Sequence, residues 1–196
     1  MSAAAGIRAV GTGEPDLKPV AARAWPCVSA DELDAMQLAQ FRHDETYHRE
    51  ISRLTVKERL THMTLHFAKY AGYLAAGADD RRFRRTVTDL FVIGLSTLNG
   101  LNVRIHSAIS EMPRANDTSE AELTRSVTVL AGHMASACER LDHLEDFPYR
   151  QTLRDAALAM VALALAAAQD RGWVMADLVS ERLLPVKEKS IFHGRL

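Results

Sequence analysis

Ser/Thr-x-x-Glu boxes stand at Ser29–Glu32, Thr55–Glu58 and Ser119–Glu122. Each is followed by a segment whose apolar residues recur at helical spacing. In such a box the hydroxyl and the carboxylate satisfy free amides of a first helical turn, so each marks a helix start. No stretch sustains the two-residue alternation of a half-buried strand. The fold class is therefore all-α, a bundle of about six helices. With 196 residues, 47% of them hydrophobic, the chain is long enough for one domain with a real core.

The first helix is expected from about 31 to 49, with Leu33, Met36, Phe41 and Tyr47 as its larger apolar residues. The second covers about 56–76, with Leu60, Met63, Phe67, Ala71 and Leu74 as its apolar stripe, and Gly77 closes it. The third, about 82–101, is apolar nearly all round and must be enclosed by neighbours. A connector around Pro113 leads to a fourth helix (about 120–143), a fifth (about 150–170, ended by Gly172) and a last (about 175–184) stopped by Pro185. The apolar run 156–168 reads as a buried helix, too short to span a bilayer. Residues 1–29 lack periodicity and read as a flexible arm ahead of a single domain, 30–196.

The two halves of that domain, about 55–108 and 119–184, resemble each other. Aligned, Thr64 falls on Thr128, Thr86 on Thr152 and Asp89 on Asp155. A repeated helix pair that cannot bury its own face would bury it against its copy. Identity is low, and chance similarity of two amphipathic hairpins is the alternative.

The net charge of −1 creates no field for nucleic acid or an anionic membrane, and neither is expected as a partner. Cys27 and Cys138 form no disulfide framework or metal pattern, which fits a reducing cytoplasm. No nucleophile elbow and no phosphate-cradling glycine loop occurs.

The informative residues are polar ones on apolar helices. His62, His66, Lys69 and Tyr73 follow at i, i+4, i+7 and i+11 on one stripe, with Tyr70 beside it. Asp89 and Ser96 share a face of the third helix, with Asn99 nearer its other side. A buried Asp89 needs a partner, which Lys69, His62 or His66 could supply. One reading is a buried network that sets helix register; another is a ligand site built from the same groups. His62 and His66 could instead bind a transition metal, with Asp89 and water completing the shell. Residues 43–48, with two histidines and two acids, read as a solvated helix end. So does the acidic face of Glu139, Asp142, His143 and Asp146, as a solvated surface or one paired with arginines. The basic run after Asp79-Asp80 reads as exposed, or as a phosphate contact if it faces a cleft.

The order of these elements resembles the MazG-like all-α nucleoside triphosphate pyrophosphohydrolases. The resemblance is carried by residues 33–42, residues 57–74, Thr86-Val-Thr-Asp89, and residues 98–105 with Asn99. It covers about 31–105. It implies a bundle in which carboxylates on two helices hold Mg²⁺, which binds a triphosphate and activates water. Where those glutamates should stand, this chain has Lys69, Tyr70 and Tyr73; where Glu-x-x-Asp should stand it has Thr86 and Asp89, so only Asp89 survives. The second half keeps only Asp155. One carboxylate cannot hold a hard dication, so no metal cofactor is expected. The resemblance then implies a scaffold whose hydrolysis is lost and whose His62, His66, Lys69, Tyr70, Tyr73, Asp89 and Asn99 bind a nucleotide-like, anionic or aromatic ligand, or a protein partner. The alternative is an enzyme of altered chemistry using His62, His66, Lys69 and Asp89. The duplicated hairpins would form a pseudo-dimer. The apolar helices that begin near Thr86 and Thr152 predict self-association, as a homodimer.

Overall fold

The computed structural model describes residues 28–111 and 117–191. The expected arm, with Cys27, and the Pro113 connector lie outside the described residues, apart from the ends of each. Among the described residues the helices are α1 (Ala30–Tyr47), α2 (Arg49–Ser52), α3 (Val56–Ala75), α4 (Asp80–Gly100), α5 (Ile105–Ala108), α6 (Glu120–Asp142), α7 (Tyr149–Asp170) and α8 (Met175–Glu188), with a 3-10 turn at Ile109–Glu111. No strand occurs among them. The all-α bundle is as the sequence predicts. The two extra helices, α2 and α5, are single turns without the length to show a periodicity.

Local chemistry sets most boundaries. Ser29 and Thr55 form complete capping boxes with Glu32 and Glu58. The third box is only half made. Ser119 caps the Glu122 amide, but the Ser119 amide goes to the Asp117 carboxylate at 2.7 Å, and Glu122 turns to Arg125 and Ser126. Gly77 and Gly172 end α3 and α7 with φ of 77° and 68°, where a Cβ would be strained. Pro185 does not stop α8, which continues to Glu188. The proline lacks one N–H, and one missing bond near a helix end leaves the remaining turns in place.

Helices α3, α4, α7 and α6 pack as a ring of four, each against its two neighbours in that order. The core between them is headed by Phe67, Phe91, Leu90, Leu95, Leu98, Met134, Leu158 and Met160. Each fully buried side chain of this size contributes about 1.5–3 kcal/mol. The ring is tightest where α4 crosses α7: a Cβ on Gly94 would stand 2.6 Å from a Val161 methyl. Helix α7 is long and apolar enough to cross a membrane by composition, yet 67% of its most apolar window is buried in the bundle, as a core helix requires.

Helices α1 and α8 lie outside the ring, and both pack on α4. They make α4 enclosed nearly all round, as its composition demands. Its buried threonines are satisfied within the helix: Thr86, Thr88 and Thr97 each donate to the carbonyl four residues back. The apolar residues of the helices beginning near Thr86 and Thr152 are used inside one chain.

Candidate functional site

Helix α1 meets α4 with a polar stripe rather than an apolar one. Leu33, Gln37, Gln40 and Asp44 follow at i, i+4, i+7 and i+11, and all four are buried, while Phe41 is 43% exposed. The Gln37 amide bridges the bend after α4, donating to the Val103 carbonyl at 2.8 Å and accepting from the Ile105 amide at 2.9 Å. Asn99 donates to the Gln37 carbonyl at 3.3 Å, so it serves α1 rather than the α3 stripe. Asp44 accepts from Gln40 and from Ser96, each at 2.7 Å, with Arg59 at 3.7 Å. Burial pushes the Asp44 carboxyl above its ordinary range, against those bonds.

Residues 43 and 44 are therefore not a solvated helix end. His43 is only 5% exposed, and both ring nitrogens lack a hydrogen-bond partner, as do Gln40 Oε1 and Arg59 Nε. Burial, then the charges of His48 and Lys187, push the His43 imidazole down to about 4. The spacing of Leu33, Gln37, Gln40 and Asp44 carried this signal in the sequence. Three of the four residues are amides or an acid rather than large apolar side chains.

The α3 stripe lies on the helix whose Arg59 approaches Asp44. Tyr70 is buried, His62 and His66 are half-buried, and Lys69 and Tyr73 are exposed. The His66 Nε2 stands 3.1 Å from the His62 Nε2, and its Nδ1 stands 3.0 Å from the Tyr70 hydroxyl and 3.2 Å from Lys69 Nζ. An ammonium can only donate, so with Lys69 in place His66 Nδ1 accepts and its Nε2–H donates to His62. Burial and then the Lys69 charge push His66 down to about 4 and move His62 in the same direction. Burial, with the Asp89 charge, pushes the Tyr70 hydroxyl above the ordinary phenol range.

Asp89 is buried, as its helix predicts, but its partner is not on α3. Arg182 of α8 donates to it through Nε at 2.6 Å and a second nitrogen at 3.4 Å, with Arg85 at 3.9 Å. The three α3 candidates lose because a guanidinium reaches a carboxylate with two parallel bonds. The pair is 93 residues apart in sequence, so no local pattern could announce it. Among the described residues no group of three His, Cys, Asp or Glu side chains converges, so Asp89 does not complete a metal shell with the two histidines.

Around this pair the surface is cationic and aromatic. Lys69 lies over the Tyr70 ring at 4.9 Å and Arg82 over the Tyr73 ring at 5.4 Å. Of the basic run at the start of α4, Arg84 pairs with Glu181, while Phe83 is buried. The acidic face of α6 is exposed, with Asp142 paired to Lys57. A separate hollow of about 480 Å³ lies at the start of α7, lined by Phe147, Pro148, Tyr149, Arg150, Gln151 and Arg154. Its guanidiniums are engaged, Arg150 with the Leu101 carbonyl and Arg154 with Glu111 and Asp155.

Compared with protein-family models, curated proteins and solved structures, the chain matches none.

Proposed function

We propose that this chain is a binding or regulatory protein on a MazG-like scaffold, in which metal-dependent hydrolysis has been replaced by metal-free capture of a small anionic ligand with a flat group, such as a nucleotide. One observation carries the reading: Arg182 holds the Asp89 carboxylate that the resemblance would offer to Mg²⁺. A fixed guanidinium thus occupies the electrostatic role of the metal. Lys69, Arg82 and Arg85 then present weakly committed charge, with Arg82 over the Tyr73 ring, which is 40% exposed. Phosphate groups would meet the cations, and a base would meet the ring. The matching burial of the two hairpins, at spacings of 64 and 66 residues, supports reading them as a duplication that forms a pseudo-dimer.

The test is titration calorimetry with ATP, dCTP, inorganic pyrophosphate and adenosine in the presence of EDTA. At least one triphosphate should bind, and Lys69→Ala combined with Arg85→Ala should weaken it tenfold or more. Absence of binding by all four probes, or Mg²⁺-dependent release of pyrophosphate from any nucleoside triphosphate, would overturn the proposal. The hydrogen-bonded series His62–His66–Tyr70 favours a second reading, an enzyme that moves protons along α3. That reading requires a turnover which His66→Ala abolishes and His133→Ala leaves intact.

A further inference from the structure

The geometry points to a two-histidine site for a late first-row divalent ion, Ni²⁺, Cu²⁺ or Zn²⁺, held by His62 Nε2 and His66 Nε2 with water completing the shell. Two neutral imidazoles four residues apart on a helix turn the same nitrogen toward each other, 3.1 Å apart. With metal–nitrogen bonds of about 2.0–2.1 Å, that separation subtends an angle of about 95–100° at the ion. This is the angle between adjacent ligands of a square or octahedral centre, to which imidazole is well suited in copper and nickel. The ion sits off the line joining the nitrogens, so each ring turns by about 40° to aim its lone pair at it.

The support behind His66 is already in position. A metal-bound imidazole donates its other N–H to a fixed acceptor, which sets the ring and raises its basicity. The Tyr70 oxygen stands 3.0 Å from His66 Nδ1, and Tyr70 is itself buried. Without metal, one proton lies between the two Nε2 atoms. On binding, that proton appears on His66 Nδ1 and is accepted by Tyr70. Neither imidazole loses its single proton, so nothing need be released to solvent. Lys69 opposes binding: its ammonium stands 3.2 Å from Nδ1 and must swing aside.

This inference does not rest on the anion reading, and one variant separates the two. Removing Lys69 weakens an anion and strengthens a cation. The experiment is calorimetric titration of the full chain, free of any tag, with Ni²⁺ at pH 7, the fold of each variant being checked by circular dichroism. One ion should bind per chain. His62→Gln, at a half-exposed position, should weaken it tenfold or more, and so should His66→Gln. Lys69→Ala should tighten it, while His133→Gln and His143→Gln, at exposed positions of the other hairpin, should change nothing. Failure of Ni²⁺ to bind, an unchanged affinity in a folded His62→Gln protein, or weaker binding in Lys69→Ala would each overturn the proposal.

Discussion

The hairpins α3–α4 and α6–α7 bury corresponding positions but keep different chemistry. At a spacing of 64, Met63, Phe67, Tyr70 and Leu74 of α3 match Val127, Ala131, Met134 and Cys138 of α6, all buried. At a spacing of 66, Val87, Leu90, Phe91 and Leu95 of α4 match Leu153, Ala156, Ala157 and Val161 of α7 in the same way. The polar positions part company. The Asp89 side chain is 11% exposed and bound by Arg182, whereas that of Asp155 is 53% exposed beside Arg154. His66 and Lys69 correspond in sequence to Leu130 and His133 of the other hairpin. The difference follows the covering helices. Both α1 and α8 pack on α4, and Asp89 is enclosed there deeply enough to need a built partner.

The largest test of this contrast is to remove a partner on each side. Arg182→Ala leaves the Asp89 charge enclosed and should cost about 2–3 kcal/mol in urea unfolding. Asp155→Ala, at the corresponding exposed pair, should cost less than about 0.5 kcal/mol. Equal losses would mean that coverage by α8 is not what distinguishes the hairpins.

Acidification gives the next effect. His43 and His66 are held near 4 in the folded chain, against 6.5 for a free imidazole. Below pH 6.5 the unfolded chain gains protons that the folded chain refuses. Stability should therefore fall as pH drops from 6.5 toward 4, with about two protons taken up on unfolding. Asp44, whose carboxyl is pushed upward, acts in the opposite direction at the acid end of that window. His66→Leu, which copies Leu130 of the second hairpin, should flatten the slope by about half. An unchanged slope would assign the proton uptake elsewhere.

The smallest effect concerns the caps. Thr55→Ala removes a complete box and should cost about 1 kcal/mol. Ser119→Ala should cost about half as much, because Asp117 still binds the Ser119 amide. Thermal melts of the two variants would rank them.

What could be read from sequence was what neighbouring residues decide. The capping boxes and the two helix-ending glycines rest on contacts within a few residues, and the α3 stripe and the enclosed character of α4 are written in the residue pattern of a single helix. Arg182 could not be found this way, since its role exists only once α8 docks. The seam of α1 was legible in spacing but carries Gln and Asp where core residues are expected. It lies inside because amides and hydroxyls from α4 and from the bend after it meet them.

The Gln37 clamp has a consequence for how the two outer helices would come loose. Helix α1 is stitched to the end of α4 by a neutral carboxamide, whose bonds are indifferent to ionic strength. The grip of α8 on Asp89 is ionic and partly open to solvent, so dissolved salt competes with it. Rising salt should therefore loosen α8 around Arg182, while its Met175 and Leu178 stay buried, before it disturbs the Gln37 clamp.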